Sequence, residues 1–298
     1  MLARVLLLTG ATGRVGSALL PLLTASGRPV RCLVRDPRRL GEDRVRVQIA
    51  LGDLADPPSF RNALRGVQAV VHLAASTRDQ PRGTIEELCG LATWRLVKAA
   101  EQAGVEHFLY LSALEASPHH SVRLLRSKAL AEDAVAGADL RTSTLAASMI
   151  YAPGDRYLTM LERLALLPVM PIAGAGRALW QPIAAADVAA CLMAVLDAAA
   201  VPERHARYEL AGPETLSHSA MVRAVLRSVG RDRPVAPVPL AVVRRLLSLV
   251  ELLAGPTAVA TRDEAELRDA RMTSALGTGD AVGLGVRPRS VAAVLGAG

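Results

Sequence analysis

Aromatic side chains are scarce: Phe, Trp and Tyr together make up 3% of the 298 residues. That leaves little material for stacking on bases, so a nucleic-acid surface is not expected despite a formal charge of +7. Lysine is scarcer still, standing only at Lys98 and Lys128, and the many arginines are scattered, as on a solvated surface. The three cysteines, Cys32, Cys89 and Cys191, are far apart and show no metal-ligand spacing, so no metal site is expected. Cys32 and Cys191 lie in apolar runs and read as small core residues. No apolar run is long enough to span a bilayer, and the first is too short for a signal peptide. A soluble, reduced, cytoplasmic protein is the expectation. Hydrophobic residues at 51% and charged residues at 21% provide for a large core and argue against disorder. The length suits one large domain, or a domain with a smaller companion.

What is present is a glycine turn. An apolar run, Arg4 to Thr9, ends in Gly10-Ala11-Thr12-Gly13-Arg14-Val15-Gly16, and a helix-like pattern follows at once. A strand that turns tightly into a helix over a bound phosphate reads this way. Gly10 permits the turn, Gly13 lets backbone approach a pyrophosphate, and Gly16 lets helix and strand pack closely. Gly10, Thr12, Gly13, Arg14, Val15 and Gly16 therefore form the expected cradle for a dinucleotide, with the helix N–H groups and dipole facing the anion.

The next segments supply the context that the glycines need. A second strand, Pro29 to Arg35, ends in Arg35-Asp36-Pro37, where a dinucleotide fold faces the adenosine ribose. Arg35 offers a planar cation suited to a 2′-phosphate, so NADP (NADPH) is expected over NAD. Arg14 is a second candidate for that phosphate, while Asp36 is a local competitor that would read a free ribose. Arg44 to Leu51 reads as a third strand closed by Gly52-Asp53-Leu54. There Asp53 and Leu54 would line the adenine site, with Asp53 as an ordinary turn residue the rival reading. Ala69 to Ala75 is a fourth strand whose small end, Ala74-Ala75, lets a cofactor lie close; His72 within it reads as a buried, hydrogen-bonded residue. A long helix, Ile85 to Ala103, leads to a fifth strand, His107 to Leu111, capped by Ser112. Lys128 sits mid-helix in Val122 to Val135, and Arg141 to Ala146 is a sixth strand. This alternation predicts an α/β fold with a doubly wound parallel sheet over residues 1–150.

Residues 151–298 read as a small, mainly helical region on the substrate side, interleaved with the sheet. It comprises helices over 155–167, 185–199, 217–229 and 239–253, with a short strand near Tyr208. The apolar helix 239–253 is expected to be a cap, with peripheral membrane contact as the alternative. The tail from Thr273 to Gly298 reads as loosely packed. The aliphatic lining expected from this region points to a small, apolar substrate.

Taken together, the Gly10–Gly16 loop, Val34-Arg35-Asp36-Pro37, Gly52-Asp53-Leu54, His72-Leu73-Ala74-Ala75, Ser127-Lys128-Ala129-Leu130-Ala131-Glu132 and Gln181-Pro182-Ile183-Ala184-Ala185-Ala186-Asp187-Val188-Ala189 resemble the extended and atypical short-chain dehydrogenase/reductases. The resemblance covers roughly residues 3–250 and is nearest to NmrA-like proteins and to the NADPH-binding 39 kDa accessory subunit of respiratory complex I. It implies a Rossmann-type fold and a nicotinamide cofactor, with Lys128 on the nicotinamide ribose. It also implies a Tyr four residues before that lysine, a Ser at the end of the fifth strand and often an Asn on the long helix. Those positions hold Leu124, Ala113 and, by a looser alignment, Cys89. A leucine has no proton to exchange with substrate oxygen. The resemblance thus implies an intact cofactor half and a depleted proton-transfer half.

Three functions follow from this pattern. One is an NADP(H)-dependent oxidoreductase with rearranged chemistry, in which Lys128, Ser112 and Tyr151 (or Tyr157, or water) serve a substrate needing little acid help, such as a quinone. The second is a non-catalytic NADP(H) sensor or structural binding protein. The third, weakened by the missing tyrosine, is a nucleotide-sugar epimerase or dehydratase. If Arg35 reads a 2′-phosphate, Arg35→Asp shifts the preference from NADP to NAD in a direct binding titration; unchanged affinity for both would show that Arg35 does not choose the cofactor.

Overall fold

The computed structural model describes residues 5–198, 203–254 and 261–296. Arg4 and Ala199, expected ends of a strand and a helix, lie outside the described residues. The strands of the first half are β1 (Val5–Thr9), β2 (Val30–Val34), β3 (Gln48–Leu51), β4 (Val67–His72), β5 (His107–Ala113) and β6 (Arg141–Ala147). They alternate with α1 (Arg14–Ala25), α2 (Pro57–Arg61), α3 (Ala92–Gln102) and α4 (Arg123–Ala136). Short strands follow: β7 (Ile150–Tyr151), β8 (Met170–Ala173), β9 (Leu179–Trp180) and β10 (Ile183–Ala184). Then come β11 (His205–Leu210), β12 (Leu216–Ser217) and β13 (Val235–Val238). The later helices are α5 (Arg156–Leu164), α6 (Ala185–Asp197), α7 (His218–Ser228), α8 (Leu240–Ala254), α9 (Arg262–Arg268), α10 (Gly279–Gly283) and α11 (Val291–Leu295).

Seven strands form one parallel sheet in the order β11-β6-β5-β4-β1-β2-β3, a Rossmann-type doubly wound arrangement. Central strands buried on both faces read as continuous apolar runs, and β1 is buried along its whole length. Alternation decides which face each residue serves. Leu6 and Leu8 join Val71, Leu109 and Leu145 under α1 and α6. Val5 and Leu7 join Val70, Phe108 and Tyr110 under α3 and α4. A third apolar cluster joins the carboxyl side of the sheet to the later chain through Cys89, Leu124, Tyr151, Tyr157, Trp180 and Met221.

Several expectations need correction. The third strand is only Gln48–Leu51; Pro37–Val45 is a 3₁₀ segment, opened by Pro37 and by Asp36, whose side chain accepts the Arg38 N–H. Proline at a first helical position and an Asx cap turn the chain before it can extend. The long helix begins as a π-helical turn, Glu86–Leu91, and continues as α3. The short strand near Tyr208 is β11, the seventh strand of the main sheet. The tail is not loose. Ala281 and Val291 are buried, Asp280 accepts the Glu209 N–H at 2.7 Å, and Asp187 accepts both the backbone N–H and the guanidinium of Arg289 at 2.9 and 3.0 Å. Small residues there permit close approach rather than disorder. Helix α8 packs on α9 and leaves Val242 and Leu246 facing solvent. Among the described residues, no helix is long and apolar enough to cross a membrane.

Three imidazoles are locked in the core. His72, His107 and His218 have pKa values pushed down by burial to about 3, about 4 and about 4. Below the unfolded value of 6.5 the unfolded chain binds protons that the folded sites refuse. Stability is therefore full above that pH and falls as pH drops from 6.5 toward 4, by about 1.4 kcal/mol per pH unit for each imidazole. Urea midpoints measured from pH 7 to pH 4 should fall steeply below 6.5; a flat profile would contradict neutral burial.

Candidate functional site

The glycine turn is built by contact rather than by preference alone. Gly10 has φ +73°, and a Cβ there would lie 2.6 Å from the Ala74 amide nitrogen, at the small end of β4. A Cβ on Gly16 would lie 2.1 Å from the Gly10 carbonyl oxygen and 2.7 Å from Ala11 Cα. Gly13 stands at the N-cap of α1 and donates its N–H to the Gly10 carbonyl at 2.9 Å. No side chain caps this helix, and no acidic residue lies in its first turn. Its leading N–H groups are therefore open to an anion. Val15 is buried in the core, so it meets a ligand only through backbone, while Thr12 is half-buried beside it. Arg14 leans away from the adenosine end, with its guanidinium 3.6 Å from the buried Asp155, which also caps α5. It does not share a site with Arg35.

At the end of β2, Arg35 is exposed and donates to Gln80 Oε1 at 2.9 Å. The Asp36 carboxylate is occupied by the backbone N–H and guanidinium of Arg38, at 3.1 and 3.0 Å, and that hydrogen bonding lowers its pKa. Asp53 is a turn residue with a charge partner: Oδ1 accepts the Ala55 N–H at 3.0 Å and Oδ2 faces the Arg82 guanidinium at 3.2 Å. Leu54 packs at the margin of the α3–α4 core. Ala74 is half-buried and Ala75 exposed, as expected of a floor beneath a ligand.

At the other end lies a polar column. His72 bonds Thr9 Oγ1 at 2.6 Å and Thr93 Oγ1 at 2.9 Å. Its neutral ring stacks on Tyr110, with centroids 5.7 Å apart. Lys128 donates to the Leu111 carbonyl at 2.6 Å and lies over the Tyr110 ring, 4.7 Å from its centroid. Burial pushes the Lys128 pKa down, opposed by Cys89 and Glu132. Cys89, on the π-helical turn, exchanges hydrogen bonds with the backbone of Ser76. Leu124 is buried in the third apolar cluster, and Ala113 packs beside it. A tyrosine is thus beside Lys128, but it is Tyr110, presented by its face and buried to 1% exposure, not a phenol one helical turn before the lysine. Sequence reading missed it. The available signal was strand parity, which puts Tyr110 and Ser112 on one face of β5, under α4.

Tyr151 does not join this group. Its hydroxyl bonds neither Lys128 nor Ser112 among the described residues. Burial raises its pKa, and its charged neighbours are Asp187, Glu214 and Arg289. Of the three expected catalytic groups, Lys128 and Ser112 share the end of β5, and Tyr151 stands apart. The hydroxyls of Tyr110 and Ser112 lie near enough to interact with each other, whereas those of Tyr151 and Tyr157 are buried without a hydrogen-bond partner among the described residues. Each such orphan costs about 1–3 kcal/mol. No group of His, Cys, Asp or Glu among the described residues could hold a metal ion.

A dinucleotide fits these residues. The glycine cradle has room only for backbone and an incoming anion, and the helix start is uncapped. Comparison with known proteins agrees. The chain belongs to a family of NAD(P)H-binding proteins, whose sequence model matches residues 10–199. It is 28% identical over 238 residues to an NAD(P)H azoreductase of Xenophilus azovorans, covering 76% of this chain and 74% of that one. It is also 28% identical over 186 residues to the mitochondrial NADH dehydrogenase (ubiquinone) 1 alpha subcomplex subunit 9 of Mus musculus, covering 60% of this chain and 49% of that one. The NADPH-dependent quinone oxidoreductase QOR2 of Escherichia coli, solved with NADPH, shares the fold at TM-score 0.74 and 19% identity, over 98% of both chains. The likeness to complex I subunits is thereby met, and the chain is an oxidoreductase-like protein with reductase relatives.

If the turn is limiting, Gly16→Ala should force the backbone apart, raise the dinucleotide Kd at least about tenfold and destabilise the fold by about 1–3 kcal/mol. Gly283→Ala, where an added Cβ meets open space, should change neither. Equal behaviour of the two variants in calorimetric titration and thermal melting would contradict the packing account.

Proposed function

We propose that this protein is an atypical short-chain reductase that uses NADP(H) and reduces an acceptor needing little acid assistance, a quinone or a conjugated nitrogen–nitrogen double bond. The observation that carries the reading is the pairing of an intact cradle and buried Lys128 with Leu124 in place of a proton-donating tyrosine. When bound, the nicotinamide supplies a hydride. A quinone or azo acceptor would need, besides that hydride (one proton and two electrons), one further proton to complete the dihydro product. The chain's part is placement. Its glycine turn grips the diphosphate, and Lys128 meets the ribose. Ser112, the hydroxyl beside Tyr110 at the end of β5, presents the proton or orders the water that does. Leu124, Tyr157 and Trp180 keep the acceptor side apolar and exclude bulk water.

Several observations support NADP over NAD. Arg35 is exposed at the ribose position, and the competing carboxylate, Asp36, is already engaged by Arg38. The azoreductase relative supports a reductase reading. Leu124, Ala113 and the separation of Tyr151 from Lys128 favour a second reading, a non-catalytic NADP(H) sensor. The same leucine weighs against sugar epimerisation, which needs a base at that place.

NADPH oxidation followed by absorbance with a panel of quinones and azo dyes separates the readings. The reductase should consume NADPH with at least one acceptor, and Ser112→Ala should lower kcat about 10²-fold or more with unchanged NADPH Kd. Tight NADPH binding with no oxidation by any acceptor would establish the sensor instead.

A further inference from the structure

A short helix, α9, bridges the loop after β4 and the start of α5. Helix α9 opens with a capping box between Thr261 and Glu264, which fixes its start. On one side, Glu264 Oε1 accepts hydrogen bonds from Thr77 Oγ1 at 3.0 Å and from Arg78 Nε and Nη2 at 3.2 and 2.6 Å. Thr77 and Arg78 stand three and four residues after Ala74, against which Gly10 packs. The neighbouring Asp263 meets Arg123 at 3.3 Å, and Arg123 also holds Asp79 and Glu86. The far end of α9 reaches the opposite lip. There Arg268 lies over the Tyr157 ring, 4.8 Å from its centroid. Tyr157 is in the first turn of α5, whose cap Asp155 pairs with Arg14 at the start of α1. One helix thus links the loop after β4 to the start of α5, and through Asp155 and Arg14 to the start of α1.

Arg268 is an unusual cation in this setting. Among the described residues it makes no hydrogen bond and no ion pair; its contact is the aromatic face. A guanidinium carries five donors in a fixed fork matched to phosphate oxygens. Burial lowers its pKa, and Arg14 and Arg156 lie near enough to lower it further by repulsion. Glu264, the carboxylate that acts on Arg268, is itself engaged by Arg78. Arg268 thus adds a cation near Arg14, which stands at the uncapped start of α1.

We propose that Arg268 is a cofactor-binding residue, carried by α9 as a strap across the groove and donating to the diphosphate from the side opposite the α1 amides. This rests on the dinucleotide reading above. The diphosphate is common to NADPH and NADH, so Arg268 contributes affinity without choosing between them, whereas Arg35 makes that choice. The Arg78–Glu264 and Arg123–Asp263 pairs hold the strap down.

Calorimetric titration of the full chain tests this directly. Arg268→Ala should weaken NADPH and NADH alike by about 10- to 100-fold, as for loss of one charge-paired contact. Their ratio should be unchanged, and adenosine 2′-monophosphate, which lacks the diphosphate, should bind as to the parent chain. Should the alanine variant melt early, the near-isosteric Arg268→Gln gives the same comparison. Parent-like Kd values in a folded variant overturn the proposal. So does a variant that keeps cofactor affinity but loses only the KM for a carboxylated acceptor, because the anion served would then belong to substrate. A parent chain that binds neither dinucleotide would sink the underlying reading instead, a distinguishable failure.

Discussion

The contact between the Gly10 carbonyl and the α-carbon of Gly16 governs this molecule. It sets how closely α1 sits on β1, and so where the uncapped helix start faces. On its other side Gly10 touches the Ala74 backbone, so β4 is fixed in the same act. Any side chain at either glycine would move the helix, the strand end or both. The glycine turn is the meeting of three backbone segments brought as near as backbones can come. The core on both faces of the sheet holds them there.

The other end of the groove follows a different logic, that of buried polar groups. Thr9, His72 and Thr93 satisfy one another in a closed column, and the neutral imidazole is a consequence of burial and of the Lys128 charge. Lys128 is anchored to strand backbone and to the Tyr110 face. Beside this satisfied set, the Tyr151 and Tyr157 hydroxyls remain unmet among the described residues. The proton-transfer side differs from the usual family pattern because apolar packing has taken it over: Leu124 belongs to the cluster that joins the sheet to the later chain.

Charge organises the rim. Arg78, Arg123 and Glu264 tie the loop after β4 to α9, and Arg123 pushes the Glu86 pKa down to about 2 through its hydrogen bond. Half-buried pairs such as Arg78–Glu264 are worth more than exposed ones, because water screens them less.

The glycine spacing, the apolar runs and the strand–helix alternation were legible along the chain, because each depends on neighbours a few residues away. They determined the doubly wound sheet, the phosphate turn and the absent tyrosine. Where local chemistry competed with pattern, as at Asp36-Pro37, the strand expectation overran a 3₁₀ turn. The tail misled for a related reason: small residues look loose in sequence, yet Ala281 is fully buried once β11 lies beside it. Tertiary structure alone decided that Tyr151 stands apart from Lys128, that Tyr110 lies beside it, and that Arg268 lies over the Tyr157 ring. Those relations join residues far apart in the chain, and only packing, which no local periodicity encodes, brings such side chains together.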